Sequence, residues 1–153
     1  MIKAHWAAVC LTAAGLISSL PALAAEQAGM VKVSKGQVSI ERDGKKIAAA
    51  VGTPVLVADR VRTAADGSVG VTLRDNTLLS AGPNSLIVID KFAFDNTTQD
   101  GSMAVSIRKG TLSVASGKIA KRTPESVDFH TPTSVLGVRG TEFVIEVAGD
   151  NEE

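Results

Sequence analysis

At 153 residues and 15.8 kDa the chain has room for one domain. Its 16 Lys and Arg balance 16 Asp and Glu, which offers no basic surface for nucleic acid, and four Phe, one Trp and no Tyr leave no aromatic platform for bases or sugars. One Cys and two His exclude an internal disulfide, a Cys-rich zinc site and a His-only cluster of three ligands.

The chain opens with an address. Lys3 and the free amino terminus form a short positive start, and Ala7 to Leu20 reads AAVCLTAAGLISSL. Pro21 breaks the helix, and Ala22-Leu23-Ala24 supplies the small-x-small pattern that a signal peptidase accepts. Residues 1–24 therefore read as a secretory signal peptide, and the mature protein is expected in the periplasm. An uncleaved membrane anchor is the alternative, weakened by Gly15, Ser18, Ser19 and Pro21. Cys10 follows Val9 with only a short apolar run before it, so it reads as part of the signal helix rather than a lipidated cysteine. Without the leader the chain keeps 15 basic and 16 acidic residues, no Cys and one histidine, His130. Its fold must then rest on packing alone, and no second apolar run approaches the length of a membrane span.

Residues 25–29 read as a flexible lead-in. From Met30 the hydrophobic period is two. Val31 and Val33 alternate with Lys32 and Ser34, and Val38 and Ile40 with Gln37, Ser39 and Glu41. Val69, Val71 and Leu73 follow the same rule, as do Val105 and Ile107, Leu112 and Val114, and Phe143, Ile145 and Val147. Each run predicts a strand with one face to the core. Turn residues fall between them: Asp43-Gly44, Asp66-Gly67, Asp75-Asn76, Gly82-Pro83-Asn84, Asp100-Gly101 and Lys109-Gly110. Ala48 to Val51 is the best helix candidate, and Gly52 and Pro54 cut it short. The class is all-β, with small branched side chains filling a thin core. Lys35-Gly36-Gln37-Val38-Ser39-Ile40 echoes Lys109-Gly110-Thr111-Leu112-Ser113-Val114, each a turn glycine followed by a strand. Two copies fall short of a repeat protein. Residues 149–153 read as an acidic, solvated tail.

Candidate sites are few. Asp128 and His130 lie two apart on one strand face, roughly 7 Å from each other. With Val127 and Phe129 directed inward, the pair reads as solvent-facing rather than catalytic or metal-binding. Asp95 to Gly101 lacks the register of a calcium loop and reads as a polar hairpin. Lys118, Lys121 and Arg122 form a small basic patch in what reads as an exposed loop before Pro124, a possible contact for anionic envelope polymers. The most distinctive segment runs from Thr131 to Phe143. Pro132 interrupts ladder pairing, Gly137 and Gly140 permit bends or close backbone approach, and Arg139 has Asp59 or Asp75 as candidate partners. Thr131, Pro132, Gly137, Arg139, Gly140 and Thr141 are expected to form a structural corner or an interaction surface.

Taken in order, Gly36-Gln37-Val38, Arg42-Asp43-Gly44, Val51-Gly52, Ala58-Asp59-Arg60-Val61-Arg62-Thr63, Val69 to Thr77, Gly82-Pro83-Asn84-Ser85, Lys109-Gly110-Thr111-Leu112 and the closing Thr131 to Phe143 make a pattern. It resembles the FecR domain family over residues 30–148. Ala58 and Asn76 depart from it, each standing where the family tends to have Gly. The resemblance implies a twisted, solenoid-like all-β domain, with a β-sandwich as the alternative. It also implies a periplasmic module that senses or regulates without chemistry or cofactor. Relatives of this kind join such a domain to a membrane helix and a cytoplasmic segment. Here the domain follows the leader, so the expectation is binding capacity rather than transduction. An envelope protein is the expected partner. Binding of peptidoglycan or polysaccharide is the alternative, and an enzyme built on His130 is the least supported reading.

Overall fold

The computed structural model describes residues 25–149; residues 1–24, read above as a signal peptide, and Asp150 to Glu153 of the acidic C-terminal segment lie outside the described residues. Strands make up 58% of it and helix 6%, so the all-β class stands. The strands, in order, are β1 (Gln27–Lys35), β2 (Val38–Arg42), β3 (Lys45–Ala48), β4 (Pro54–Leu56), β5 (Arg60–Thr63), β6 (Ser68–Leu73), β7 (Leu78–Ala81), β8 (Leu86–Phe94), β9 (Gly101–Ala115), β10 (Val127–His130), β11 (Val135–Gly137) and β12 (Glu142–Val147). One short helix, α1 (Lys118–Arg122), and a 3-10 turn at Pro124–Ser126 separate β9 from β10.

The sheet runs β3-β2-β5-β8-β9-β7-β6-β1-β4 and curls into an antiparallel half-barrel. Its spine is β9, fifteen residues long. The first part of β9 pairs with β8, from Gly101↔Phe94 to Lys109↔Leu86, and its second part pairs with β7, from Leu112↔Ala81 to Ala115↔Leu78. On its other flank β10 runs parallel, from Met103↔Val127 to Ser106↔His130, while β12 runs antiparallel, from Gly110↔Val147 to Ala115↔Glu142. Among the described residues β11 pairs only with β10.

Sequence alternation becomes burial alternation along most strands. On β6, Val69, Val71 and Leu73 are buried between partly exposed Ser68, Gly70 and Thr72. The core is aliphatic, with Phe92, Phe94 and Phe129 embedded in it and Phe143 packed against it. Phe129 and Phe143 meet edge to face, with centroids 5.2 Å apart at 81°, which ties β10 to β12. The Asp43-Gly44 turn joins β2 to β3 with both residues at positive φ (51° and 74°), the tight hairpin geometry those residue types favour.

Four expectations change. Gln27 to Gly29 is not a flexible lead-in: these residues open β1, with Ala28 and Gly29 buried. Val33 does not face the core. The pairing of β1 with β6 slips between Val31 and Val33, so the second valine turns outward, 47% exposed, over Gly70. Lys109-Gly110 is not a turn but a bend inside β9, where the strand passes from β8 to β7. Lys118 to Arg122 is not a loop but the single turn of α1.

Candidate functional site

The polar residues that the sequence motifs share fall into two groups, one buried and one exposed. Asp59, on the turn into β5, is 1% exposed and receives Arg42 bidentately, from Nε at 2.8 Å and Nη2 at 2.7 Å. It also accepts the Leu56 N–H at 2.8 Å, and Arg42 Nη2 donates to the Pro54 carbonyl at 3.0 Å. One carboxylate thus closes the β4–β5 turn and holds it to β2. The hydrogen bond from Arg42 to Asp59 raises the guanidinium pKa above its ordinary value, against the opposing effect of burial.

A second knot sits at the β6–β7 turn. Asp75, wholly buried, accepts the Thr77 N–H at 3.1 Å, the Thr77 hydroxyl at 2.8 Å and the Ile119 N–H at 3.2 Å. Its carbonyl accepts the Lys118 N–H at 2.8 Å, and Thr77 Oγ1 accepts the Gly117 N–H at 3.1 Å. The turn Asp75-Asn76-Thr77 therefore caps α1 from outside the helix, satisfying first-turn donors that Gly117 has no side chain to reach.

A third knot joins three motifs. The Thr63 hydroxyl donates to the Gly82 carbonyl at 2.7 Å and accepts the Ser85 N–H at 2.9 Å. Ser85 Oγ in turn accepts the Thr111 N–H at 3.0 Å, beside the bend of β9. That bend needs Gly110, at φ +88°, because a Cβ there would overlap Ser85. Five of the seven buried polar residues among the described residues, Asp59, Thr63, Asp75, Thr77 and Ser85, lie in these knots and fix turns.

The closing motif is different. Thr131 and Ser134 close the β10–β11 turn, with Thr131 N donating to Ser134 O at 2.8 Å and Ser134 N donating to Thr131 Oγ1 at 3.0 Å. Pro132, Gly137, Arg139, Gly140 and Thr141 are all exposed, and from Pro132 to Glu142 only Val138 is buried. Arg139 does not meet Asp59, which Arg42 occupies, or Asp75, which is enclosed by Thr77 and α1; the locking role expected of Arg139 is taken by Arg42. Nor do Gly137 and Gly140 allow a close approach, since nothing stands within 4 Å of a Cβ at either position. The Thr141 carbonyl accepts the Ser116 N–H at 2.7 Å and anchors the start of β12. Val135, Leu136 and Val144 are among the exposed large apolar side chains, at 63%, 39% and 65%. A cleft of about 290 Å³ lies between Thr131-Pro132-Thr133 and Glu146-Val147-Ala148.

Asp128 and His130 are half-buried on the face of β10 opposite Val127 and Phe129, as the alternation requires. The Asp95 carboxylate accepts the N–H groups of Thr97 and Thr98 at 2.7 and 3.1 Å, the arrangement of a polar hairpin. Lys118, Lys121 and Arg122 are exposed, and Arg122 Nε donates to Asp100 Oδ1 at 2.6 Å. That hydrogen bond holds the Asp100 carboxyl below its ordinary range. Among the described residues no group of three or more His, Cys, Asp or Glu is placed to hold a metal ion.

Sequence reasoning missed Arg42 as the partner of Asp59 and Asp75 as the cap of α1. The available signal was chemical: a turn aspartate flanked by apolar strands needs donors, and the segment after β9 begins with the bare N–H groups of Gly117, Lys118 and Ile119.

Taken together, the fold and its corner define a β module most of whose buried polar groups serve its turns, and whose last two strands expose Val135, Leu136 and Val144. Residues 59–153, more than half of the chain, match the family described as FecR protein, and the chain belongs to that family. The match begins at Asp59, so the motifs from Gly36 to Gly52, and Ala58, precede it, although Arg42 reaches into it. Proteins of this family have regulatory or sensing roles associated with the cell envelope. No curated protein and no solved structure matches the chain significantly.

Proposed function

We propose that the chain is an exported, non-catalytic module that regulates or senses by binding an envelope protein in the periplasm, using the corner formed by β11, the Val138 to Thr141 link and β12. The supporting observation is the contrast among motifs. The buried polar residues of the earlier ones fix turns, whereas the closing one is exposed over most of its length. Val135, Leu136 and Val144 add apolar surface beside open strand edges, the setting for strand addition. Capture from envelope extract on the immobilised protein tests this. A retained protein should be lost from Leu136→Asp and Val144→Asp variants whose circular dichroism is unchanged. Retention indifferent to both substitutions, or no retention, contradicts the reading.

Lys118 and Lys121, both exposed on α1, favour a second reading, contact with an anionic envelope polymer. Under it, the protein should sediment with purified sacculi at low salt, and a Lys118→Gln, Lys121→Gln variant should not. Absence of co-sedimentation removes it.

A further inference from the structure

Building on the interaction reading, on which it rests, we propose that β12 is the edge that receives the partner. Its ligand is an extended segment with Lys or Arg at two positions four residues apart and apolar or β-branched residues between them.

The sheet offers four edges among the described residues: β3, β4, β11 and β12. β3 carries exposed Lys45 and Lys46, which blunt it, and β4 opens on Pro54, which has no N–H to give. β11 is three residues long. β12 is six residues long and pairs only with β9, so its other flank presents a row of free backbone donors and acceptors.

The side chains of β12 specify what fits there. Phe143, Ile145 and Val147 face the core, yet Phe143 and Val147 are only half-buried. An added strand with apolar inward residues would cover them. The outer face reads Glu142, Val144, Glu146, all exposed. Their partners across β9 are Ala115, Ser113 and Thr111, which carry no charge, and neither glutamate belongs to a salt bridge among the described residues. Two uncompensated carboxylates therefore flank an exposed valine at a spacing of four. In a paired strand the complementary positions are also four apart, and opposite charges facing each other are favourable. A second copy of this chain is the wrong partner: pairing two β12 strands antiparallel about Val144 sets Glu142 against Glu146 twice.

The test uses two synthetic peptides, Gly-Lys-Val-Thr-Val-Lys-Gly and the same sequence with Glu in place of Lys, titrated into isotope-labelled protein. The basic peptide should shift the amides of residues 142–147, and the acidic one should not. Its affinity should fall about tenfold in a Glu142→Gln, Glu146→Gln variant, and should weaken with added salt. No binding of the basic peptide, shifts centred on another edge, equal binding of the acidic peptide, or full affinity in the double variant would each overturn the proposal. So would concentration-dependent shifts of residues 142–147 in the free protein, which report self-pairing. Capture from envelope extract separates the two readings. A protein retained equally by wild type and the double variant overturns the β12 assignment while leaving the interaction reading in place. If wild type retains nothing, the interaction reading itself fails.

Discussion

Ala58 and Asn76 show how a single residue can be out of register with its backbone. Both stand where the resemblance expects Gly, and both hold positive φ, 73° and 68°. Asparagine tolerates this region; alanine does so at a cost of about 1–2 kcal/mol. Glycine relieves the strain but gives back part of the gain through its larger unfolded entropy. Ala58→Gly should therefore stabilise the protein by about 0.5–1 kcal/mol in urea unfolding; a loss of stability would contradict the strain. Asp75 works in the opposite sense. Its removal leaves the Thr77 N–H, the Thr77 hydroxyl and the Ile119 N–H without that acceptor in a buried turn. Asp75→Ala should cost about 2–4 kcal/mol by the same measurement, and a cost under about 1 kcal/mol would show that α1 does not need this cap.

Among the elements, β9 carries the architecture because it belongs to both halves of the sheet. Its bend is specified by one glycine lying against one serine. Gly110→Ala must relax both the positive φ and the overlap with Ser85, at a cost of at least about 2 kcal/mol; unfolding at wild-type denaturant concentration would deny the bend its role. The contact between α1 and the loop before β9 makes a pH-dependent prediction. Arg122 depresses the folded pKa of Asp100, so the pair contributes stability above the unfolded carboxylate value and loses it as pH falls through the folded one. Both side chains are more than half exposed, so the stability effect is small. The readable quantity is the titration itself. Asp100 should titrate below the ordinary carboxylate range by NMR and return to it in Arg122→Gln; identical titration in the two proteins would contradict the pairing.

Strand existence was legible because period-two alternation survives any register. Register was less so. The slip at Val31 to Val33 and the bend at Gly110 are choices between pairing partners, and nothing local to Val33 or Gly110 announces them. Lys109-Gly110 has the chemistry of a turn and becomes a bend only because Ser85 arrives from the β7–β8 loop. The candidate site was legible as a segment, since Pro132, Gly137 and Gly140 mark Thr131 to Phe143 as irregular. Its locking arginine was not, because Arg42 and Arg139 are equivalent until the fold brings one of them to Asp59.

For the whole molecule, the buried polar groups and the curled sheet build a frame whose C-terminal corner is exposed. The central claim is that this frame acts by contact at its C-terminal corner. Site-specific photo-crosslinking in cells tests it most directly, with the photoreactive residue placed at Val144, at Leu136, or at Lys45 on the distant edge β3. An adduct with an envelope protein from position 144 or 136, and none from position 45, is the predicted result. An adduct from position 45 alone, or no adduct from any of the three, would contradict it.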